Sequence, residues 1–290
     1  MQSSRRLRLG VSCLAFIGLM AAAALLLSQS ARAQQQQRLD LIVHPEFTAE
    51  TATAVYQPLL RYLRAETGLN FRLVTPRDYR DYWRMLQSGE THHIAIDHPH
   101  IAAYRIRRFG YEPLVRADEP TRFMLITSAM ADTPEQITDE VISTMPSPSL
   151  GYAILTRIYP NPLQQPTFTS EALSWRDAVE IVFAGEAAAA IVPDWLAERY
   201  PNLYPIYESA QLPGTTLTTS PEVDQDVRTR LADALLKMHE NPDLREVQVE
   251  LNVERFEPAR RGEYAAIDEY LAHAFGYRRE ISDFPPIEPD

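Results

Sequence analysis

Two rhythms of apolar residues alternate along the chain. RLDLIVHPE, from Arg38, carries a run of consecutive aliphatic residues that ends near His44 and predicts a buried strand. TATAVYQPLLRYLRAETG then places Val55, Leu59 and Leu63 on one helical face, with Gly68 as its stop signal. NFRLVT predicts a second strand, YRDYWRMLQSGE a second helix closed by Gly89, and HIAID a third strand. A helix through Ile101 to Phe109 and a strand over EPLVRA complete this unit. Such alternation predicts an α/β fold, with a largely parallel sheet covered by helices on both faces.

The rhythm then repeats. RFMLITS and AAAAIVP are strand-like, SPSLGYAILTRIY and WRDAVEIVFAG helical, so a second α/β unit follows the first. GTTLTTS, from Gly214, predicts a return strand, followed by helices around Val227 to His239 and Glu263 to Phe275. The closing FPPIEPD is proline-rich and predicts an extended tail.

The amino-terminal segment has a different pattern. Arg5, Arg6 and Arg8 precede an apolar run from about Val11 to Leu27, and Ala31-Arg32-Ala33 closes it. Residues 1–33 read as a secretory signal peptide cleaved before Gln34, which places the mature protein in the periplasm. Cys13, the single cysteine, departs with it, so the mature chain has neither thiol nor disulfide. No later run reaches the roughly 20 apolar residues of a membrane span.

Loss of the leader arginines takes the formal charge from −11 to −15, and Lys237 is the one lysine. A nucleic-acid partner is not expected on that balance, although local donors can still build an anion pocket on an acidic surface.

The candidate chemistry concentrates in HHIAIDHPHIAAY, where His92, His93, His98 and His100 fall within nine residues. On a strand rising about 3.3 Å per residue, His92 and His98 stand roughly 20 Å apart, too far to share one metal. His98 and His100, with Asp97, follow the carboxyl end of the strand, where open α/β sheets bind ligands. His44 ends the first strand and can face the same crevice. These residues can hold Zn, Cu or Fe through His44, Asp97, His98 and His100, or donate to an oxyanion, or serve as loop and cap residues with Asp97 as the cap.

In MPSPSLGYAIL, Ser147 or Ser149 can cap a helix holding Gly151 and Tyr152, with or without an anion at its start. Asp194, after the strand AAAAIVP, either reaches the cleft or caps the next helix. No G-x-S-x-G, H-E-x-x-H, glycine-rich phosphate loop or nucleophilic cysteine is present, so neither an enzyme nor a bound cofactor is expected. The His98-Pro99-His100 spacing occurs in some metal hydrolases, but their other ligands come from later strands, and here the remaining histidines, His239 and His273, fall in predicted helices.

Seven segments, in order and spacing, resemble the phosphate/phosphonate solute-binding proteins of ABC importers, often called PhnD-like. They are VYQPLLRYLRAETGLNFRLV, MLQSGETHHIAIDHPH, FGYEPLVRA, SPSLGYAIL, FAGEAAAAIVPD, LPGTTLTTSPEV and FEPA. The resemblance implies a type II periplasmic binding protein fold, with a ligand trapped between two α/β lobes. Lobe 1 would comprise residues 38–123 plus 218–290 and lobe 2 residues 124–217. The expected function is a monomeric periplasmic binding protein that delivers a small polar ligand, such as phosphonate or phosphate, to an inner-membrane ABC permease.

The ligand residues expected on this basis are His44, His98, His100, Ser149, Gly151, Tyr152 and Asp194. A metal-binding periplasmic protein, or a sensory accessory protein using the same cleft, is the alternative. Where the family has Ser-Thr-Ser-Gly-Tyr, this chain has Pro148-Ser149-Leu150-Gly151-Tyr152, and His98-Pro99-His100 replaces a Gly-Pro segment. The family's strand-end Asp aligns with Pro193, one residue before Asp194.

Overall fold

The computed structural model describes residues 38–275 and 287–289, so the leader with Cys13 and most of the proline-rich tail lie outside it. Strand β1 (Arg38–Val43) leads into helix α1 (Ala49–Thr67), β2 (Asn70–Val74), α2 (Tyr79–Gln87), β3 (Ile94–Asp97), α3 (Pro99–Phe109) and β4 (Glu112–Ala117). Thr48 caps α1 by accepting from the Thr51 N–H at 3.3 Å, and Asp78 caps α2 by accepting from the Asp81 N–H at 2.7 Å. Gly68 ends α1 at φ 70°, a left-handed conformation that glycine adopts without steric cost.

The chain then crosses to a second unit. It contains β5 (Phe123–Thr127), β6 (Val141–Ser143), α4 (Leu150–Ile158), β7 (Thr167–Thr169), α5 (Trp175–Phe183), β8 (Ala189–Pro193), the single turn α6 (Asp194–Ala197) and β9 (Tyr204–Glu208). After the return come β10 (Thr216–Thr219), α7 (Gln225–Leu236), α8 (Arg245–Glu250), β11 (Phe256–Pro258) and α9 (Glu269–Phe275).

Two sheets result, ordered β11-β4-β10-β3-β1-β2 and β7-β6-β8-β5-β9. Each is mixed rather than largely parallel. Strands β1, β2 and β3 run parallel, as do β6, β7 and β8, whereas β10, β11, β5 and β9 pair antiparallel with their neighbours. The antiparallel strands β5 and β10 adjoin the crossovers, where the chain enters a sheet without an intervening helix.

The sheets place the unit boundary near, but not on, the expected residues. Phe123 belongs to the second sheet, and Thr216 and Leu217 to the first. The crossovers over 118–122 and 209–215 touch through a bridge between Thr121 and Leu212. Gly214 is required in this crossover, because a Cβ there would lie 2.6 Å from the Glu119 carbonyl oxygen and 2.7 Å from the Ala117 Cβ.

The helix expected over Glu263 to Phe275 is broken. Ala266 adopts φ 62°, separating a 3-10 turn at Arg261–Tyr264 from α9. Helix α9 packs against both α3 and α4, and the Arg157 guanidinium of α4 lies 4.4 Å from the Tyr270 ring centre. The carboxyl-terminal helix thereby touches both units. Leu41, Leu59, Leu63, Leu217 and Leu235 form a core on one face of the first sheet. Ile42, Tyr82 and Tyr104, from the other face, belong to the cluster that includes Ile126, Ile154 and Ile191 of the second unit.

Candidate functional site

The register of β1 and β3 sets the site. Val43 pairs with Ile96 in a parallel ladder, so the residues that follow, His44 and His98, leave the sheet at the same carboxyl edge. Their ring centres are 4.5 Å apart. Between them stands Glu46, brought back by a tight turn in which its N–H donates to the His44 carbonyl at 3.0 Å. His44 Nε2 lies 2.9 Å from one Glu46 oxygen and His98 Nε2 lies 2.6 Å from the other.

Proton positions follow from the partners. His44 Nδ1 lies 3.2 Å from the Ile96 carbonyl, which only accepts, so Nδ1 carries a hydrogen. Its Nε2 then faces a carboxylate and needs a second proton to bond it. Burial works against that charge, but Glu46 outweighs it and raises the His44 pKa. Burial likewise opposes ionisation of Glu46, and the two imidazoles overcome it, holding this carboxyl well below its usual range.

The second unit reaches the same carboxylate. Trp175 opens α5 behind its cap Ser174, which accepts from the Asp177 N–H at 3.1 Å. Its indole Nε1–H donates to Glu46 at 2.8 Å, a hydrogen bond between the two units. The ring packs on Phe123, with centres 5.1 Å apart, and over Gly151, where a Cβ would lie 2.9 Å from Trp175 Cζ3. A glycine at 151 is therefore what lets the indole lie against the first turn of α4.

Beside this bridge is a cavity of about 470 Å³. His44, Glu46, Phe47 and His98 line it from the first unit, and Ser174, Trp175, Arg176, Trp195 and Arg199 from the second. Thr121 and Thr215 of the crossovers and the 249–252 segment complete the wall. Among the described residues neither Arg176 nor Arg199 has a carboxylate within ion-pair distance; Arg199 lies 5.5 Å over the Trp195 ring. The cleft thus offers two guanidinium groups, aromatic faces and the carboxylates of Glu46 and Glu250.

Residues 41–264 match the family described as the periplasmic phosphonate substrate-binding proteins of ABC transporters. The chain belongs to this family. Its function is that of a periplasmic binding protein of an ABC importer, a transport role that does not favour the metal-carrying or sensory alternatives. No curated protein sequence matches the chain. Among solved structures it is similar to PhnD1 of Prochlorococcus marinus in complex with methylphosphonate (TM-score 0.67, 10% identity, 82% of this chain and 98% of that one). A Xanthomonas citri protein bound to ATP (TM-score 0.64, 14% identity, 81% and 96%) shares the fold. So does a binding component of a Pseudomonas aeruginosa phosphonate transporter (TM-score 0.64, 14% identity, 81% and 86%). These neighbours show the type II periplasmic binding protein fold.

In this substrate-binding protein the residues singled out from sequence separate into two groups. His44 and His98 line the cleft. His100 instead faces the opposite unit, its Nε2–H donating to the Pro148 carbonyl at 2.8 Å. Burial pushes its pKa down to about 3. Ser149 caps α4, accepting from the Tyr152 N–H at 3.3 Å while its hydroxyl donates to the Met145 carbonyl at 2.9 Å. Gly151 lies beneath Trp175, and Tyr152 packs edge-on against Phe168 with ring centres 5.9 Å apart. Asp194 accepts from the N–H groups of Trp195 at 2.9 Å and Arg122 at 3.3 Å, tying α6 to β5.

The four-residue metal set His44, Asp97, His98 and His100 is not assembled. Asp97 is fully buried in an ion pair with Arg105 at 2.8 Å and also accepts from the Tyr82 hydroxyl. It does not cap α3, whose cap His98 makes no side-chain capping bond. His92 and His93 lie at the other end of β3, where the Tyr111 hydroxyl bonds the His92 backbone and His93 Nδ1 accepts from the Asp40 N–H at 3.1 Å.

Trp175, Arg176, Trp195 and Arg199 are among the cleft residues that sequence reasoning did not select, and Glu46 stood out only as the residue behind His44. Ser174-Trp175 at a helix start and Trp195 after the strand-end Pro193 gave the available signal.

Proposed function

We propose that this substrate-binding protein captures an oxyanion of the phosphonate class in the cleft between its units and presents it to an inner-membrane ABC permease. It works as a monomer in the periplasm, after removal of residues 1–33, and makes no covalent change to the ligand.

The observation that carries this reading is the cavity of about 470 Å³ bounded by both units and the crossovers, with Arg176 and Arg199 free of carboxylate partners among the described residues. Its size falls in the roughly 300–1,000 Å³ range of small-molecule sites. Unpaired guanidinium groups suit tetrahedral oxyanions, which they bond in a planar fork. A bare phosphonate head fills only part of such a space, so the reading favours an organic substituent lying against Trp195 and Phe47. Proteins of the same fold hold ligands as different as methylphosphonate and ATP.

Thermal melting of the mature chain, stripped with chelator, tests this against phosphate, phosphonates and carboxylates. A ligand at 100 times its dissociation constant adds about 2.7 kcal/mol. Stabilisation by phosphonates that is lost in the doubly substituted Arg176→Ala, Arg199→Ala chain supports the reading. Stabilisation by carboxylates alone refutes the ligand class.

A further inference from the structure

The cluster of His44, Glu46 and His98 presents an electrostatic problem that transport of an oxyanion does not explain. It puts a carboxylate on the wall of a cleft read as anion-binding. Because His44 Nδ1–H is directed at the Ile96 carbonyl, the Nε2 lone pair of its neutral ring points at Glu46. His98 Nε2 points at the other oxygen of the same carboxylate. Something positive has to sit among these atoms: protons on the imidazoles, or one cation shared by all three side chains.

We propose that His44 Nε2, a Glu46 carboxylate oxygen and His98 Nε2 form a binding site for a divalent transition-metal ion of the Zn(II) class, open on its remaining side to the cleft. The ligand atoms lie within 4.8 Å of one another. Metal–nitrogen and metal–oxygen bonds of about 2.0–2.2 Å in tetrahedral geometry put neighbouring ligand atoms roughly 3.3 Å apart. The contacts of 2.9 and 2.6 Å, which His44 and His98 make to different oxygens of Glu46, would open by roughly 0.4–0.7 Å, and the widest ligand spacing, at most 4.8 Å, would close, when the ion replaces the protons. The Ile96 carbonyl holds the His44 ring as outer partners of metal-bound histidines do, fixing the tautomer and presenting the other nitrogen. Two imidazoles and one carboxylate select Zn(II), Co(II), Ni(II) or Cu(II) over Mg(II) and Ca(II), which prefer all-oxygen sets.

All three side chains also line the cavity, so the open coordination position faces bound solute. The ion would reverse the sign of the charge that Glu46 places there. This set differs from the one first expected, since Asp97 and His100 are committed elsewhere and Glu46 takes their place.

The test is titration of the chelator-stripped, untagged mature chain with Co(II) and Zn(II), read by calorimetry and by the Co(II) ligand-field spectrum. The expected result is one ion per chain with a tetrahedral or five-coordinate Co(II) spectrum, displaced by Zn(II). Affinity falls at least tenfold in both Glu46→Gln and His98→Ala and is unchanged in His239→Gln, which alters an exposed histidine far along the sequence. Glu46→Gln keeps the side-chain shape, so a folding defect in His98→Ala leaves the test intact. Absence of binding, or an affinity that neither Glu46→Gln nor His98→Ala reduces, overturns the site. Phosphonate binding measured in chelator separates the two readings: if it persists without metal binding, the metal site falls and the transport reading stands.

Discussion

His100→Gln isolates the cost of protonating a histidine buried between the two units. In the wild type, Nε2–H donates to the Pro148 carbonyl at 2.8 Å, while Nδ1 is buried and has no hydrogen-bond partner among the described residues. A proton added at Nδ1 would create an imidazolium with nothing to accept from it, and burial holds the pKa at about 3. In the unfolded chain the same group titrates near 6.5. The native state therefore binds fewer protons, and stability falls as pH drops below the unfolded value.

Between pH 7 and pH 5 this one group removes about 2 kcal/mol. That figure depends only on the unfolded pKa as long as the folded value stays well below 5. Glutamine keeps a donor for Pro148 and has no proton to gain. Urea unfolding at both pH values, wild type against His100→Gln, is the assay: the wild type is expected to lose about 2 kcal/mol more than the variant on acidification, equivalent to roughly 4–8 °C in melting temperature. Equal losses, or a His100 ring that titrates near 6.5 by NMR in the native protein, refute the reasoning.

Three further outcomes follow from the same contacts. Glu46→Gln removes the partner that raises the His44 pKa and whose own pKa is held low. The Glu46 contribution is lost as pH falls through its depressed folded value, and the His44 contribution as pH rises through its raised one. The stability difference between wild type and Glu46→Gln is therefore greatest between about pH 4.3 and 6.5, which a pH series of melting curves checks. Gly151→Ala forces a Cβ to within 2.9 Å of the Trp175 ring and 3.0 Å of Ile191 Cγ2. It should cost about 1–3 kcal/mol and change Trp175 fluorescence as the indole leaves Glu46. Asp97→Asn leaves the buried Arg105 guanidinium without its counter-ion, a loss of about 3–5 kcal/mol in denaturant unfolding.

Sequence pattern made the scaffold legible wherever side-chain periodicity reports burial. The helix over Ala49–Thr67, with its stop at Gly68, and the strands at Ile94–Asp97 and Ala189–Pro193 stand where the pattern put them. Short strands were not legible. Val141–Ser143 and Thr167–Thr169 are three residues long, and Pro205 within Tyr204–Glu208 argues against a strand although that strand lies at a sheet edge. The break at Ala266 needs a left-handed alanine, which no local rule predicts.

The cleft was half legible for a related reason. Strand ends direct attention to His44 and His98, and the register of β1 and β3 places them together. Tertiary partners decide the rest. Asp97 and His100 are as polar and as close to the strand end, but Arg105 claims one and Pro148 the other. Trp175 meets Glu46 across 129 positions of sequence, and no pattern within either segment announces that pairing.

The most direct test of the central claim is calorimetric titration of the mature chain with methylphosphonate and with phosphonates carrying larger alkyl or aryl groups. The account predicts one site per chain, affinity that rises with the substituent, and loss of binding in the Arg176→Ala, Arg199→Ala chain. Failure of every phosphonate and phosphate ester to bind, while another solute class binds in the same cleft, would contradict it.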